Sequence, residues 1–245
     1  MAQQEKEQNA GPVTLAIDIG GTGLKMMSLD ARGEPVSERL RVPTPDTPTP
    51  KAVLEALTQL KARIRSFDRV SVGFPGVIKQ GKTLTAVNLH KAWVGFALQE
   101  ALEQAWAKPV RVANDCAVQG YGAIHGKGVE MVLTLGTGLG SSIFTDGHLC
   151  PGLELGHHPW RKKTYEDYLG KRGLKKYGGK RWNDLLEKAI AQTSATFNWD
   201  ILYIGGGNSK KITHKFVGGE VKLIPNEDGL LGGVALWKDQ ELFRK

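Results

Sequence analysis

Only two cysteines, Cys116 and Cys150, occur in the 245 residues. Two thiols cannot build a disulfide framework, and without grouped His or Asp partners they make no zinc site. A reducing cytoplasm is therefore the expected compartment. Long apolar runs are missing too: none approaches the roughly 18–20 residues needed to cross a bilayer. The polar start MAQQEKEQNAG lacks the apolar stretch of a secretory signal. No glycine cluster is followed by Gly-Lys-Ser/Thr at P-loop spacing, and no RNP motif for RNA is present. Acids are the scarcer charge, 25 Asp+Glu against 33 Lys+Arg, for a net +8 and a pI near 9.4. That excess signals either a polyanionic partner or a soluble basic surface. With 40% hydrophobic and 24% charged residues the chain is too apolar to be disordered, and its length allows one large domain or two small ones.

What is abundant is glycine, 31 residues, gathered directly after apolar runs. The clusters are IGGTG at 19–23, LGTGLG at 135–140 and IGGG at 204–207. The runs VTLAIDI, EMVLTL and DILYI read as strands stopped by glycine. Between them, KAVLEALTQLKARIRS (51–66) places Val53, Leu54, Leu57, Leu60 and Ile64 on one helical face. FALQEALEQAW (96–106) and RWNDLLEKAIAQTSATFNW (181–199) read as further helices. Alternating strands and helices predict an α/β protein. PTPDTPTP (43–50) carries four prolines in eight residues and reads as an extended connection, or as a proline-rich recognition segment.

Gly-Thr-Gly-Leu occurs twice, at 21–24 and 136–139. Each copy follows a strand and leads into a second apolar stretch, KMMSLD or SSIFTD, then a glycine-containing turn. The matched layout predicts two related halves. Tight Gly-Thr-Gly turns expose successive backbone N–H groups, a concavity suited to phosphate. Gly20, Gly21, Thr22 and Gly23 form one candidate loop, and Gly136, Thr137, Gly138 and Gly140 the other. With Gly206 and Gly207 they suggest an extended phosphorylated ligand. Asp18, just before the first loop, is placed to coordinate Mg²⁺ or its waters, or to bond its own turn. Lys25 offers charge to phosphate or to solvent. Asn114-Asp115 closes the strand-like PVRVA and opens a helix; Asp115 is either a helix cap or the base that takes a proton from an attacking hydroxyl. Glu154 and His157, in Glu-Leu-Gly-His, suit a metal or a polyhydroxylated substrate.

Taken in order, DIGGTGLK (18–25), FPGVI (74–78), AVNLHKAW (86–93), ND (114–115), LTLGTGLGSS (133–142), ELGH (154–157) and YIGGG (203–207) resemble the ROK family of sugar kinases. That family lies within the actin-like ATPase superfamily, and the resemblance runs from about Val13 to Trp237. It is nearest the polyphosphate glucokinase branch. The resemblance implies an actin-like (ribonuclease H-like) α/β fold with two lobes around a central cleft that closes on its ligands. The small lobe would be 12–112, with a C-terminal helix at 229–243 returning to it, and the large lobe 113–228. It implies that Asp115 accepts the proton of the sugar's 6-hydroxyl. Asn88, Asn114, Glu154, His157 and Glu166 would hold the sugar, and the glycine loops with Asp18 the donor. Mg²⁺ is the expected cofactor. Zinc is not, because HPWRKKTYEDY lacks the cysteines many members carry there. Asn88-Leu89-His90 stands where the branch commonly has Asn-Val-Asp. About a dozen polar residues precede the first strand, too few for a DNA-reading domain.

The basic excess has an address. Residues 161–181 contain nine Lys/Arg and only Glu166 and Asp167 as acids. Either this is a solvated face or a track for a polyanion, with Lys175, Lys176, Lys180 and Arg181 as its candidates. The function expected is phosphoryl transfer from inorganic polyphosphate, and ATP, to the 6-hydroxyl of glucose by a homodimer, with no nucleic acid or membrane as partner. The alternatives are an ATP-dependent kinase for a related hexose such as mannose, and a non-catalytic sugar-sensing protein.

Overall fold

The computed structural model describes residues 11–86, 89–150, 152–216, 219–225 and 228–239. Asn88 and residues 240–243 of the expected terminal helix lie outside them. Backbone contacts divide the chain into two units. One contains the residues up to Gly122 and those from Gly229 onward; the other is Ala123–Asp228.

In the first unit the elements run β1 (Thr14–Ile19), β2 (Leu24–Leu29), β3 (Leu40–Val42), α1 (Pro50–Lys61), β4 (Arg69–Phe74), β5 (Ile78–Lys79), β6 (Lys82–Thr83), α2 (Leu98–Trp106), β7 (Val110–Asn114) and α3 (Asp115–Ala123). Five strands make one sheet in the order β3-β2-β1-β4-β7. β1, β2 and β3 pair antiparallel, while β1, β4 and β7 pair parallel. The proline-rich segment is the connection from β3 into α1. Thr49 caps that helix by accepting from the Ala52 N–H, and Pro50 occupies its first turn, where no donor is needed. Val53, Leu57 and Leu60 point into a core shared with Leu15, Ile17, Ile19 and Phe74. Burying each contributes about 1.5–3 kcal/mol.

The second unit contains β8 (Val129–Leu135), β9 (Leu139–Thr145), β10 (His148–Leu149), β11 (Pro159–Trp160), β12 (Lys163–Thr164), α4 (Tyr165–Leu169), α5 (Lys171–Phe197), β13 (Ile201–Gly205) and β14 (Glu220–Leu223). Its sheet order is β10-β9-β8-β13-β14. The pairings are again two antiparallel then two parallel. The two sheets thus share one strand order and one pattern of directions, which is the internal duplication the paired Gly-Thr-Gly-Leu segments suggested. Trp182, Leu186 and Ile190 of α5 pack with Met131, Leu133 and Leu135 of β8 in the second core.

Two expectations differ from the structure. The helix expected from residue 181 begins at Lys171, so the basic stretch 171–181 is helical apart from a kink at Gly178 (φ 73°). The helix expected over 229–243 is, as far as Asp239, a four-residue α6 (Asp228–Leu231) and a 3-10 turn at Ala235–Trp237. Gly232 and Gly233 interrupt it, and a Cβ on Gly232 would overlap the Val118 carbonyl. The segment is nevertheless firmly seated in the first unit. The Trp237 indole donates to Ser71 Oγ at 2.8 Å and has the Arg69 and Arg111 guanidinium groups over its ring at 5.0 and 4.7 Å, and Tyr121 donates to Asp239 at 2.6 Å.

Candidate active site

The first glycine loop joins β1 to β2. Gly20 N–H donates to the Gly23 carbonyl at 3.0 Å, and Thr44 Oγ1 donates to the Gly20 carbonyl at 2.5 Å. Gly21 and Thr22 are exposed at its tip. Directly beneath the loop, Asp18 and Lys25 are register partners, and their side chains form an ion pair at 2.5 Å. Lys25 is thus engaged by Asp18 rather than solvated. Arg41 on β3 also reaches this loop: a Cβ on Gly23 would come within 3.0 Å of its Nε. Nothing in the sequence marked Arg41 or Thr44, because only strand pairing brings 41–44 to residues 20–25.

Asn114 and Asp115 sit where β7 becomes α3, in the same unit. Cys116 N–H donates to Asn114 Oδ1 at 2.9 Å and to Asp115 Oδ1 at 2.7 Å. The other end of the Asn114 amide donates to the Gly76 carbonyl at 3.2 Å, so this side chain fastens the FPGVI turn to the helix start. Gly73 on β4 lies against the helix start, where a Cβ would be in ordinary contact with the Asp115 Cα at 3.4 Å. Thr85 Oγ1 in turn accepts from the Val77 N–H at 2.9 Å.

The second glycine loop, joining β8 to β9, is gripped by later parts of its own unit. Gly136 N–H donates to the Gly138 carbonyl at 3.1 Å. The Gly136 carbonyl accepts from Lys171 N–H at 3.0 Å and from the Asn208 side chain at 2.8 Å. Leu139 N–H donates to Glu166 Oε2 at 3.2 Å, and a Cβ at 138 would push that carboxylate, the far end of a flexible side chain, off the loop. Gly206 adopts φ +86° against the Leu135 backbone, a conformation and an approach that exclude a side chain. Its carbonyl accepts from Ser209 N–H and Oγ.

Glu154 and His157 lie on a 3-10 turn stitched to β9. Ser141 Oγ donates to the Leu153 carbonyl at 2.7 Å and accepts from Leu155 N–H at 3.1 Å. Glu154 Oε2 stands 3.8 Å from His157 Nε2. Burial pushes the Glu154 carboxyl above its usual range; His157 opposes the shift and the nearby Glu166 charge adds to it. Glu154 and His157 are thus a pair within the field of Glu166, and Glu166 itself is held on the second loop. Sequence reading missed Ser141, Asn208 and Asn183, polar residues whose roles depend on partners distant in the chain.

Among the described residues no cluster of three or more His, Cys, Asp and Glu could hold a metal. Asp18 is a lone carboxylate beside a loop of backbone donors. The N–H groups suit phosphate, and Asp18, though paired with Lys25, is the carboxylate there that fits Mg²⁺ carried largely by water and phosphate oxygens.

A glycine-loop hairpin repeated in two sheets of one topology, with Asn-Asp opening a helix, matches the model of the ROK family over residues 14–175. The chain belongs to the ROK family. Its fold is the actin-like ATPase fold of ROK sugar kinases. Among ROK relatives, the polyphosphate glucokinase of Mycobacterium tuberculosis is 29% identical over 213 residues, 82% of this chain and 79% of that one. The inorganic polyphosphate/ATP-glucomannokinase of Arthrobacter sp. strain KM, a solved structure, is 30% identical with a TM-score of 0.82, covering 91% of this chain and 97% of its own. The N-acetylmannosamine kinase of Escherichia coli is 36% identical over 153 residues, 59% of this chain and 52% of that one.

Proposed function

We propose that this ROK protein is a glucokinase that transfers a phosphoryl group from inorganic polyphosphate, and from ATP, to the 6-hydroxyl of glucose. The observation that carries this reading is the bond from Leu139 N–H to Glu166, which fastens one carboxylate to a phosphate-type loop with the Glu154 carboxyl near enough to feel its charge. The names of the Mycobacterium and Arthrobacter relatives support the choice of donor and of sugar.

In this mechanism Glu154, His157 and Glu166 hold the sugar hydroxyls by hydrogen bonds, several of them charge-assisted. Asn88 and Asn114 also bind the sugar in this reading. Asp115, steadied by Cys116 N–H, accepts the proton of the 6-hydroxyl as that oxygen forms its bond to the terminal phosphorus. The bridging P–O bond breaks, and the electron pair leaves with a donor one phosphate shorter. The backbone N–H groups of loops 20–23 and 136–140, with Gly206 and Gly207, hold donor oxygens and disperse the charge. Mg²⁺, with Asp18 as its protein partner, neutralises phosphate charge when bound. Lys175, Lys176, Lys180 and Arg181, all exposed, attract the donor.

A coupled assay for sugar 6-phosphate, run separately with polyphosphate and ATP on glucose and mannose, tests the reading. Turnover on glucose with polyphosphate is expected. No turnover with any hexose would leave the sugar-sensing alternative, and turnover on mannose alone would make mannose the substrate. The Arthrobacter relative's name, glucomannokinase, is the reason to include mannose. A homodimer belongs to the proposal and is read by light scattering.

A further inference from the structure

The basic stretch 171–181 is not alone on the second unit. Immediately after the third glycine cluster comes Asn208-Ser209-Lys210-Lys211-Ile212-Thr213-His214-Lys215. Together the segments 171–181 and 208–215 carry nine Lys/Arg and no acid. All nine side chains are exposed, and among the described residues none forms an ion pair.

Both segments start at the same atoms. Lys171 N–H and the Asn208 amide each bond the Gly136 carbonyl, and Asn208 N–H bonds the Leu135 carbonyl at 2.8 Å. They meet again at Asn183. That side chain, fully buried, donates to the Gly179 carbonyl at 2.8 Å and the Lys211 carbonyl at 3.0 Å, and accepts from Thr213 N–H at 2.8 Å. A buried amide with three bonds is a costly group to misplace, so the spacing of the two segments is set. His214 adds a second tie, with Nε2 3.1 Å from Asp184 Oδ1. The kink at Gly178 lies between Tyr177 and Lys180.

We propose that residues 171–181 and 208–215 are two arms of one track for long-chain inorganic polyphosphate, beginning at the second glycine loop, with Asn183 as the positioning residue that clasps the arms. The inference rests on the polyphosphate-donor reading and extends it: the 208–215 arm makes the site select for chain length. Helical rise places Lys171 and Tyr177 roughly 9 Å apart along the axis, room for several consecutive phosphates. A linear polyanion without bases needs charge at intervals and nothing else. Nucleic acid would need open aromatic faces for its bases. Tyr177, the aromatic on the 171–181 arm, is already stacked on Tyr168 at 5.7 Å and flanked by Lys176 and Arg181.

The test is the triple variant Lys210→Gln, Lys211→Gln, Lys215→Gln, assayed with long-chain polyphosphate and with tripolyphosphate. The KM for long chains should rise about tenfold relative to that for tripolyphosphate. The slope of log affinity against log salt for labelled polyphosphate should fall by about 2, roughly 0.7 for each phosphate no longer neutralised by a lysine. Equal effects on both chain lengths, or none, overturn the proposal. Asn183→Ala should reproduce the chain-length effect without a matching loss of ATP turnover, and Asn183→Gln should recover part of it. A uniform loss with every donor would make Asn183 merely structural and overturn its role. Binding of labelled polyphosphate, measured by anisotropy, reads the track even if no sugar is phosphorylated, so failure of the kinase reading is seen separately. A single-stranded oligonucleotide that competes as strongly as polyphosphate would also overturn it.

Discussion

The two glycine hairpins began as one design and now differ in what holds them. Counted from the strand end, Asp18 of the first matches Thr134 of the second, and their register partners are Lys25 and Gly140. The first loop therefore stands over an ion pair made by its own hairpin, while the second stands over uncharged residues. In exchange the second is bound by Glu166, Lys171 and Asn208, from 27 to 72 positions along the chain. A repeated turn supplies backbone donors in both copies. Among the described residues, side chains around it decide that the first stands over its own Asp18–Lys25 pair, and that the second holds Glu166 on the Leu139 N–H.

The sharpest way to break that contrast is to remove the proposed base from the first unit. Asp115→Asn should lower kcat/KM by about 10²–10⁴-fold while leaving sugar affinity, measured by calorimetry, nearly intact. Full activity would strip Asp115 of its role. Next comes the second loop itself. Gly138→Ala displaces the Glu166 carboxylate from the loop, and should lower kcat/KM by about 10²-fold with little change in Tm. Gly136→Ala meets no atom within 4 Å. It should leave Tm unchanged and raise the donor KM, by roughly tenfold if its backbone lies against phosphate. A change in Tm without a change in KM would make loop 136–140 structural only.

The first loop yields a smaller effect. Lys25→Met frees Asp18 from its partner, and the half-saturating Mg²⁺ concentration should fall about threefold, the scale of a partly exposed ion pair. A rise instead would show that Lys25 holds the donor more than it restrains Asp18. The smallest effect concerns Glu154. Its carboxyl is pushed up chiefly by burial. Stability tied to its neutral form is full below the ordinary Glu range and lost as pH rises through the raised value. Glu154→Gln cannot ionise, so it should match the wild type in denaturant melts near pH 4 and exceed it near pH 7.5. The gain should be a few tenths of a kcal/mol, because a third of the side chain is exposed and water screens it.

The strands around each glycine cluster were legible because β-rich runs ended by glycine carry a local signal. The α1 stripe of Val53, Leu57 and Leu60 was legible for the same reason, since periodicity needs no partner. The basic helix was harder. Gly173, Gly178 and Gly179 lower helix propensity through 171–180, and packing of Leu174 and Tyr177 against the second core offsets that cost. The amphipathic pattern of 229–243 predicts a helix that the fold breaks at Gly232 and Gly233. Gly232 serves the close approach to Val118, which no pattern within residues 229–243 records.

By itself the sequence determined the α/β class, the two glycine hairpins, the Asn-Asp helix start and the local excess of positive charge. Each rests on neighbours in the chain: propensity, periodicity and turn chemistry act over a few residues. Only the tertiary structure decided which polar groups serve which loop: Lys25 bound to Asp18, Glu166 on the Leu139 N–H, Asn208 on Gly136, Asn183 between two basic arms. Hydrogen bonds and ion pairs depend on distances of a few ångströms, and those distances are set by sheet register and helix packing between residues far apart in sequence.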